Sequence, residues 1–486
     1  MSAATGPASV GQASAGQASI RTDIPARMDR LPWSRFHLLV VIALGVTWVL
    51  DGLEVTIVGS IGPILKDRQT LALTDQQVGL VAAFYVGGAV TGALLFGWLT
   101  DRFGRRLIFN LTLGIYMAGV LASACAWNFI SFALFNCVTG LGIGGEYSAI
   151  NSAIDELIPA RLRGRIDLIV NGSYWAGAAC GAGASLLLLS GRLVGVNIGW
   201  RLPFAIGAVL SGAILYLRRF VPESPRWQVT HGRDDEAKRT VSDIEHKIGG
   251  QLPPPKGTLE VHPRKVFGFG LILGSMLGRN RGRSFLALML MVAQAFLFNA
   301  VFFTYGLVLS RFYHIEEARV GIYILPLAAG NFLGPLVLGH LFDTIGRKKM
   351  IAGTYGVAGI LLAAVAVLFG AGWLSAWSQT ACWMAIFFIA SAAASSAYLT
   401  ASEIFPLETR AMAIALFYAI GTLIGGVSAP ALFGQLIGTG NAWVLAGGYA
   451  GAAALMIAAA ACEVFLGVEA AGKSLEDVAQ PLSGSA

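Results

Sequence analysis

GWLTDRFGRR, Gly97 to Arg106, and GHLFDTIGRKK, Gly339 to Lys349, are two copies of one short pattern in a single chain. Each copy follows the second long apolar run of its half. Asp101 sits where a helix ends in a tight turn, and Gly104 lets the chain reverse there. Asp343 and Gly346 hold the same places in the second copy, with Asp101 and Asp343 separated by 242 positions. A second pair repeats at nearly the same offset: ELIPARLRG, Glu156 to Gly164, against EIFPLETRA, Glu403 to Ala411. Two independent motifs recurring together imply two halves related by a parallel repeat, with a substrate site between them near the midplane.

Outward from these motifs, apolar runs of spanning length number twelve. Six lie near 38–60, 77–99, 107–127, 129–151, 167–190 and 200–220, and six near 285–310, 319–341, 350–372, 378–402, 411–434 and 442–466. The implied organisation is a disordered tail over 1–35, a six-helix bundle over 36–221, a polar central loop over 222–283, a second bundle over 284–467 and a tail over 468–486. Only 13% of the 486 residues are charged, against about 25% in a soluble globule. Lipid must therefore cover much of the surface. The 61 glycines suit closely packed membrane helices.

A net charge of +7 raises the question of nucleic acid. The basic residues recur in short clusters between apolar runs, which is the pattern of cytoplasmic loops and not of a nucleic-acid groove. Arg102, Arg105 and Arg106 follow span two, and Arg161, Arg163 and Arg165 follow span four. Arg347, Lys348 and Lys349 follow span eight, and Arg410 follows span ten. Both termini and the central loop are thus expected in the cytoplasm, with the chain multi-pass in the cell membrane. Arg27, Arg30 and Arg35 lead into a full-length span and not into the short apolar stretch of a cleaved signal. The five cysteines lie singly in apolar runs with no metal spacing.

Charges within spans are costly and point to function. Asp51 and Glu54 in LDGLEVTIVG share a helix face at a spacing of three. Two neighbouring carboxylates repel, so one is expected to hold a proton at neutral pH. Glu146 in TGLGIGGEY is the third intramembrane acid, on a helix whose glycines allow close packing. Arg105 and Arg106 can pair with carboxylates at helix ends and latch the halves together, with Glu156, Glu403, Arg163 and Arg410 as further members of the same inner networks.

With its loop motif complete, the chain resembles the major facilitator superfamily over nearly its whole length. PESPRW, Pro222 to Trp227, EIFPLETR and GKSLED, Gly472 to Asp477, are similar to the branch holding sugar porters and metabolite:proton symporters. The resemblance implies an all-α membrane protein of twelve transmembrane helices in two pseudo-symmetric bundles. It implies a conformational latch at Gly97, Asp101, Arg102, Gly104, Arg105 and Arg106 and their second-half partners Asp343, Gly346 and Arg347. DGLE is similar to the DGxD pattern of aromatic-acid:proton symporters, and Glu54 falls where sugar porters place a helix-one Asp. Gln294 and Asn299 match a sugar-porter QxxxxN pattern, with Tyr305 nearby, and Tyr398 stands where those proteins often carry a cavity Trp. Their helix-five Gln is replaced by Ala178, so Asn171, Tyr174 and Trp175 are candidates for that part of the cavity. Asn136 stands where relatives usually carry Arg.

The expected function is secondary active transport, a proton symport of a small polar metabolite (a sugar, polyol or organic acid) by alternating access. The proton gradient is the expected energy source, with no cofactor, and the expected partners are substrate, protons and lipid around a monomer. A non-transporting sensor of the same fold, a uniporter and an organic-cation carrier are the alternatives. No nucleophile with a base, metal cluster or phosphate loop suggests an enzyme.

Overall fold

The computed structural model describes residues 20–188, 195–255, 257–261, 269–278, 280–302 and 304–482. Among these residues the fold is all-α but for one short strand pair, Ile20–Thr22 against Leu259–Val261. Eleven helices among the described residues are long and apolar enough to cross a membrane. The fifth apolar run is broken instead: it forms Arg163–Gly172 and Tyr174–Leu188, with a hinge at Ser173. Ser173 Oγ donates to the Val170 carbonyl at 2.6 Å and lies 3.1 Å from the Gly45 carbonyl of the helix Arg35–Leu65. Counting that run as one, the first half comprises helix one (Arg35–Leu65), two (Asp75–Phe103), three (Arg105–Ala124), four (Phe129–Leu157), five and six (Leu202–Leu217). The second comprises helix seven (Arg281–Val301, continued by Tyr305–Tyr313), eight (Glu317–Thr344), nine (Arg347–Gly370), ten (Ala376–Glu403), eleven (Arg410–Gly421, a π turn, then Ser428–Gly438) and twelve (Ala442–Leu466).

Each half has an apolar core, that of the second half extended across the interface by Leu168, Trp175 and Ala178 of helix five. The halves meet where helix two packs on eleven and helix five on eight. Close approach explains part of the glycine content. A Cβ on Gly144 of helix four would collide with the backbone of Ala89 on helix two.

Helix starts at the two ends of the bundle are built differently. Away from the loop motifs, Thr74, Asn128 and Ser375 cap helices two, four and ten through capping boxes of their own sequence. At the motif end the first amide groups are capped by carboxylates from elsewhere. Glu223 accepts from Arg105 N and Arg106 N at the start of helix three, and Glu469 from Arg347 N at the start of helix nine. Gly104 (φ 99°) and Gly346 (φ 114°) adopt conformations disfavoured for other residues, and a Cβ at either would strike those carboxylates.

The tail expected to be disordered over 1–35 is ordered from Ile20. Its first nineteen residues lie outside the described ones. Helix Ile24–Asp29 and the turn after it bury Ile24, Met28 and Leu31, a helical i, i+4, i+7 stripe, in the core that also holds Val241 and Ile244 of the central helix Asp234–Ile248. Arg27 and Arg30 each reach Glu245 of that helix at 2.5 Å. The central segment is thus folded onto the motif end, as is the C-terminal segment through the short helix Leu475–Val478.

Candidate functional site

A cavity of about 180 Å³ lies between the two halves. Helix one contributes Trp48 and helix four Tyr147. Helix five contributes Asn171, Tyr174 and Trp175 from both sides of its Ser173 hinge. Helix seven adds Gln294 and Phe298, and helix ten Ser391, Ala394, Ser395 and Tyr398. The rings interlock: Trp48 meets Tyr147 at 4.7 Å and Tyr398 at 6.0 Å between centroids, and Trp175 stacks on Phe298 at 5.6 Å. No charged side chain lines the cavity among the described residues. Two larger clefts, about 490 and 650 Å³, lie at the motif end among tails and helix ends.

Five of the predicted cavity residues, Asn171, Tyr174, Trp175, Gln294 and Tyr398, meet here. Tyr305 does not: it is fully buried in the second half, its hydroxyl paired with Thr380 at 2.6 Å. Asn299 also lies apart, donating back to its own helix at Ala295 (2.7 Å) near Gly426 in the π turn of helix eleven. Trp48, Tyr147, Phe298, Ser391 and Ser395 carried no sequence signal separating them from ordinary core or interhelical residues.

Beside the cavity, Asp51, Glu54 and Glu146 are buried inside the first half at 1%, 4% and 1% exposure. None is among the cavity-lining residues. Glu54 accepts the Tyr116 hydroxyl of helix three. Glu146 pairs with Arg218 at 3.2 Å, and Arg218 also reaches the Thr47 hydroxyl at 3.2 Å and the Phe109 carbonyl. Asp51 lies within electrostatic reach of both other acids and Arg218, and of cavity tyrosines Tyr147 and Tyr174. Sequence reading placed no cation in this region. Arg218 follows helix six in a single 3-10 turn, and side chains on a helix lean toward its N-terminus. A residue at the very end of the sixth apolar run thereby points back into the bundle. Asn136, where an arginine was looked for, is fully buried and donates to Phe132 of its own helix at 2.8 Å.

The motif end is closed by two matching networks. Asp101 accepts from Ala411 N and Met412 N, at 3.3 and 2.9 Å, at the start of helix eleven. Asp343 accepts from Gly164 N and Arg165 N, at 3.1 and 2.8 Å, at the start of helix five. Each carboxylate thus caps a helix of the opposite half, where the N-terminal dipole favours an anion. Arg105 joins Asp101 (3.4 Å) to Glu156 (2.8 Å), and Arg347 joins Asp343 (2.7 Å) to Glu403 (3.0 Å). Arg410 crosses to Glu156 at 3.3 Å and Arg163 to Glu403 at 3.7 Å. Arg106 enters through its backbone amide on Glu223, while Arg102 lies outside, over Trp98 and Phe103.

A sugar (and other) transporter family model matches residues 53–482. The niacin transporter NiaP of Acinetobacter baylyi is 27% identical over 471 residues, 94% of this chain and 99% of that protein. The 4-hydroxybenzoate transporter PcaK of the same organism is 24% identical, covering 87% and 89%. The fold is shared with the proton:xylose symporter XylE, a major facilitator superfamily protein from E. coli, at a TM-score of 0.72 and 19% identity, over 91% of this chain and 98% of that one. The chain belongs to the sugar (and other) transporter family, and its fold is that of a major facilitator superfamily protein.

Proposed function

We propose that this multi-pass transporter is a proton symporter for a small monocyclic metabolite, an aromatic monocarboxylate before a sugar. It acts by alternating access as a monomer in the cell membrane, with both termini cytoplasmic and the proton gradient as its energy source. One observation carries the reading: an uncharged, aromatic-walled cavity stands beside three buried acids served by one arginine. Small polar ligands with a flat apolar face suit aromatic walls set with a few amides and hydroxyls. At about 180 Å³ the room is for roughly one ring, below the drug-sized range.

Asp51, Glu54 and Glu146 against Arg218 would leave two uncompensated anions in the bundle, and isolated buried charge is costly. Protons on the carboxylates remove that cost. A carboxylate substrate that enters with a proton is electroneutral, so the cavity needs no cation to receive it. Two similar proteins are named for niacin and 4-hydroxybenzoate, both aromatic carboxylates. A sugar is the second reading, favoured by Gln294 and Asn171 as partners for ring hydroxyls.

The test is uptake into proteoliposomes of labelled aromatic monocarboxylates, pyranoses and quaternary amines, with and without an imposed pH gradient. Accumulation of one class that requires the acid side, and is lost in Asp51→Asn/Glu54→Gln, supports the proposal. Equal uptake with the gradient collapsed makes the protein a uniporter. Selective binding without uptake of any class makes it a sensor.

A further inference from the structure

The two networks at the motif end differ in one respect. By the alignment of Glu156 with Glu403, the counterparts of Asp155 and Asp167 in the second half are Ser402 and Ile414. The network around helix five therefore holds two more acids than its mate. Asp155 and Asp167 are each 0% exposed. Every other acid of the latch has an arginine at salt-bridge distance: Asp101 and Glu156 have Arg105, and Asp343 and Glu403 have Arg347. Among the described residues Asp155 and Asp167 have none.

Asp155, on helix four, faces Glu403 of helix ten, Arg163 at the start of helix five and Arg410 at the start of helix eleven, with the Ser402 hydroxyl alongside. Asp167, on helix five, faces Asp155, Glu403 and Arg347, with the Asn171 carboxamide alongside. Both polar neighbours have their hydrogens committed. Ser402 Oγ donates to the Leu399 carbonyl at 2.8 Å. Asn171 Nδ2 donates to Asn151 Oδ1 at 3.0 Å and to the Asp167 carbonyl at 2.9 Å. These two acceptors fix the amide's orientation and leave Asn171 Oδ1 buried without a donor, on a residue 6% exposed. All four oxygens of the two carboxyl groups are likewise buried without a hydrogen-bond partner among the described residues, and a proton on a carboxyl supplies the missing hydrogen. The line continues to the cavity: Asn151 donates to the Tyr147 carbonyl at 2.8 Å, and both Tyr147 and Asn171 line it.

We infer that Asp155 and Asp167 form a second proton site, filled when the motif end is latched and emptied when it opens, with Asn151 and Asn171 linking it to the cavity. Latching buries Asp155, Asp167, Asp343 and Glu403 around Arg163 and Arg347, and the bound proton removes one of the excess negative charges. Opening admits water to the pair, and the proton leaves to the solution on that side. The inference rests on the alternating-access reading above but not on the helix-one acids as coupling site.

The experiment uses the full chain in lipid nanodiscs, with one spin label on each half across the motif end and distances measured by double electron–electron resonance. One linked proton makes the closed-to-open ratio fall about tenfold per pH unit above its midpoint, within a scan from about pH 5 to about pH 8. Asp155→Asn/Asp167→Asn is expected to stay closed across the scan, each single variant to titrate less steeply, and Asp155→Glu to keep the response. The single variants carry the same reading if the double variant is not monodisperse. Asp51→Asn/Glu54→Gln is expected to titrate as the unmodified chain does, even if it has lost proton-driven uptake. A ratio that moves less than about twofold over the scan in the unmodified chain, or the same titration in the Asp155/Asp167 double variant, overturns the inference.

Discussion

Asp101 accepts the backbone N–H of Met412 at 2.9 Å, and through that bond a carboxylate of the first half caps a helix of the second. Asp343 repeats the arrangement on Arg165 at 2.8 Å, in the opposite direction. The helices so capped, eleven and five, are ones that pack across the interface, and each is interrupted further along, by a π turn and by Ser173. Capping therefore ties the loop motifs to both helices, and helix five is the one that carries Asn171, Tyr174 and Trp175 into the cavity.

Asp101→Asn and Asp343→Asn are expected to open the motif end. Each keeps one acceptor but loses the charge that favours the helix terminus and holds Arg105 or Arg347. A hydrogen bond to a charged group contributes about 1.5–3 kcal/mol, so the closed-to-open ratio falls roughly tenfold or more. Distance measurements across the motif end check this. Because the two networks share no residue pair, the double variant is expected to show additive shifts. Unchanged distances in both single variants would exclude the latch.

The repeat made the two halves legible because a motif needs no knowledge of side-chain direction. Cavity residues were legible where polarity marked them, as at Gln294 and Asn171 in apolar spans, or where the family resemblance pointed to an aromatic position, as at Tyr174, Trp175 and Tyr398. Asn299 has the same polarity but turns onto its own helix at Ala295, a choice of face that spacing alone does not report. Trp48 and Tyr147 lie close in sequence to Asp51 and Glu146, yet aromatics in spans read as packing. Arg218 was hidden for a different reason. It sits at the margin of a span in an Arg-Arg pair, and only the backward lean of its side chain brings it to Glu146.

The aromatic cavity and the core behind it are expected to separate in a mutational comparison. Trp48→Ala removes a ring within 6.0 Å of Tyr398 and 4.7 Å of Tyr147. A single aromatic contact is worth about 0.5–1.5 kcal/mol beyond area burial, so substrate affinity should weaken about tenfold. Tyr305→Phe removes the hydroxyl's bonds to Thr380 and to the Ala376 carbonyl and should lower the melting temperature slightly, by about 1 kcal/mol of stability, with affinity unchanged. Isothermal titration and thermal melting of the same preparations decide it. Equal loss of affinity in both variants would place the site elsewhere.

His231 is expected to make the central segment pH-sensitive. It stacks on Trp227 at 4.3 Å, and Trp227 donates to the Asp101 carbonyl at 2.8 Å. Burial first, then the nearby Arg105 and Arg233, push the His231 imidazole down to about 4, against the hydrogen bond to Trp227. The folded form thus favours the neutral ring. Its contribution is complete above the ordinary histidine value of about 6.5 and is lost as pH falls from there toward 4. At 1.36 kcal/mol per unit the effect is at most about 3 kcal/mol. Melting temperature is expected to fall over that window, and His231→Phe to flatten the fall. An identical pH profile in the variant removes His231 as the cause.

Arg218 and Glu146 offer the sharpest test of the buried charge cluster. Removing one partner of a buried pair typically costs about 3–5 kcal/mol, because the other charge is left uncompensated. Arg218→Gln is therefore expected to destabilise the protein strongly, leaving three acids without a cation. Arg218→Lys is expected to recover only part of the loss, since a single ammonium replaces a planar fork that serves Glu146, Thr47 and the Phe109 carbonyl together. Glu146→Gln made in the Arg218→Gln background should restore stability toward that of the unmodified chain. The double-mutant cycle isolates the pair from the rest of the site. If the two single losses simply add, the 3.2 Å contact does not couple the residues. Uptake in the stable double variant then asks a separate question: whether Asp51 and Glu54 carry the proton without the pair beside them. Proton-driven accumulation that persists assigns coupling to helix one. Stable protein without accumulation assigns it to the whole cluster.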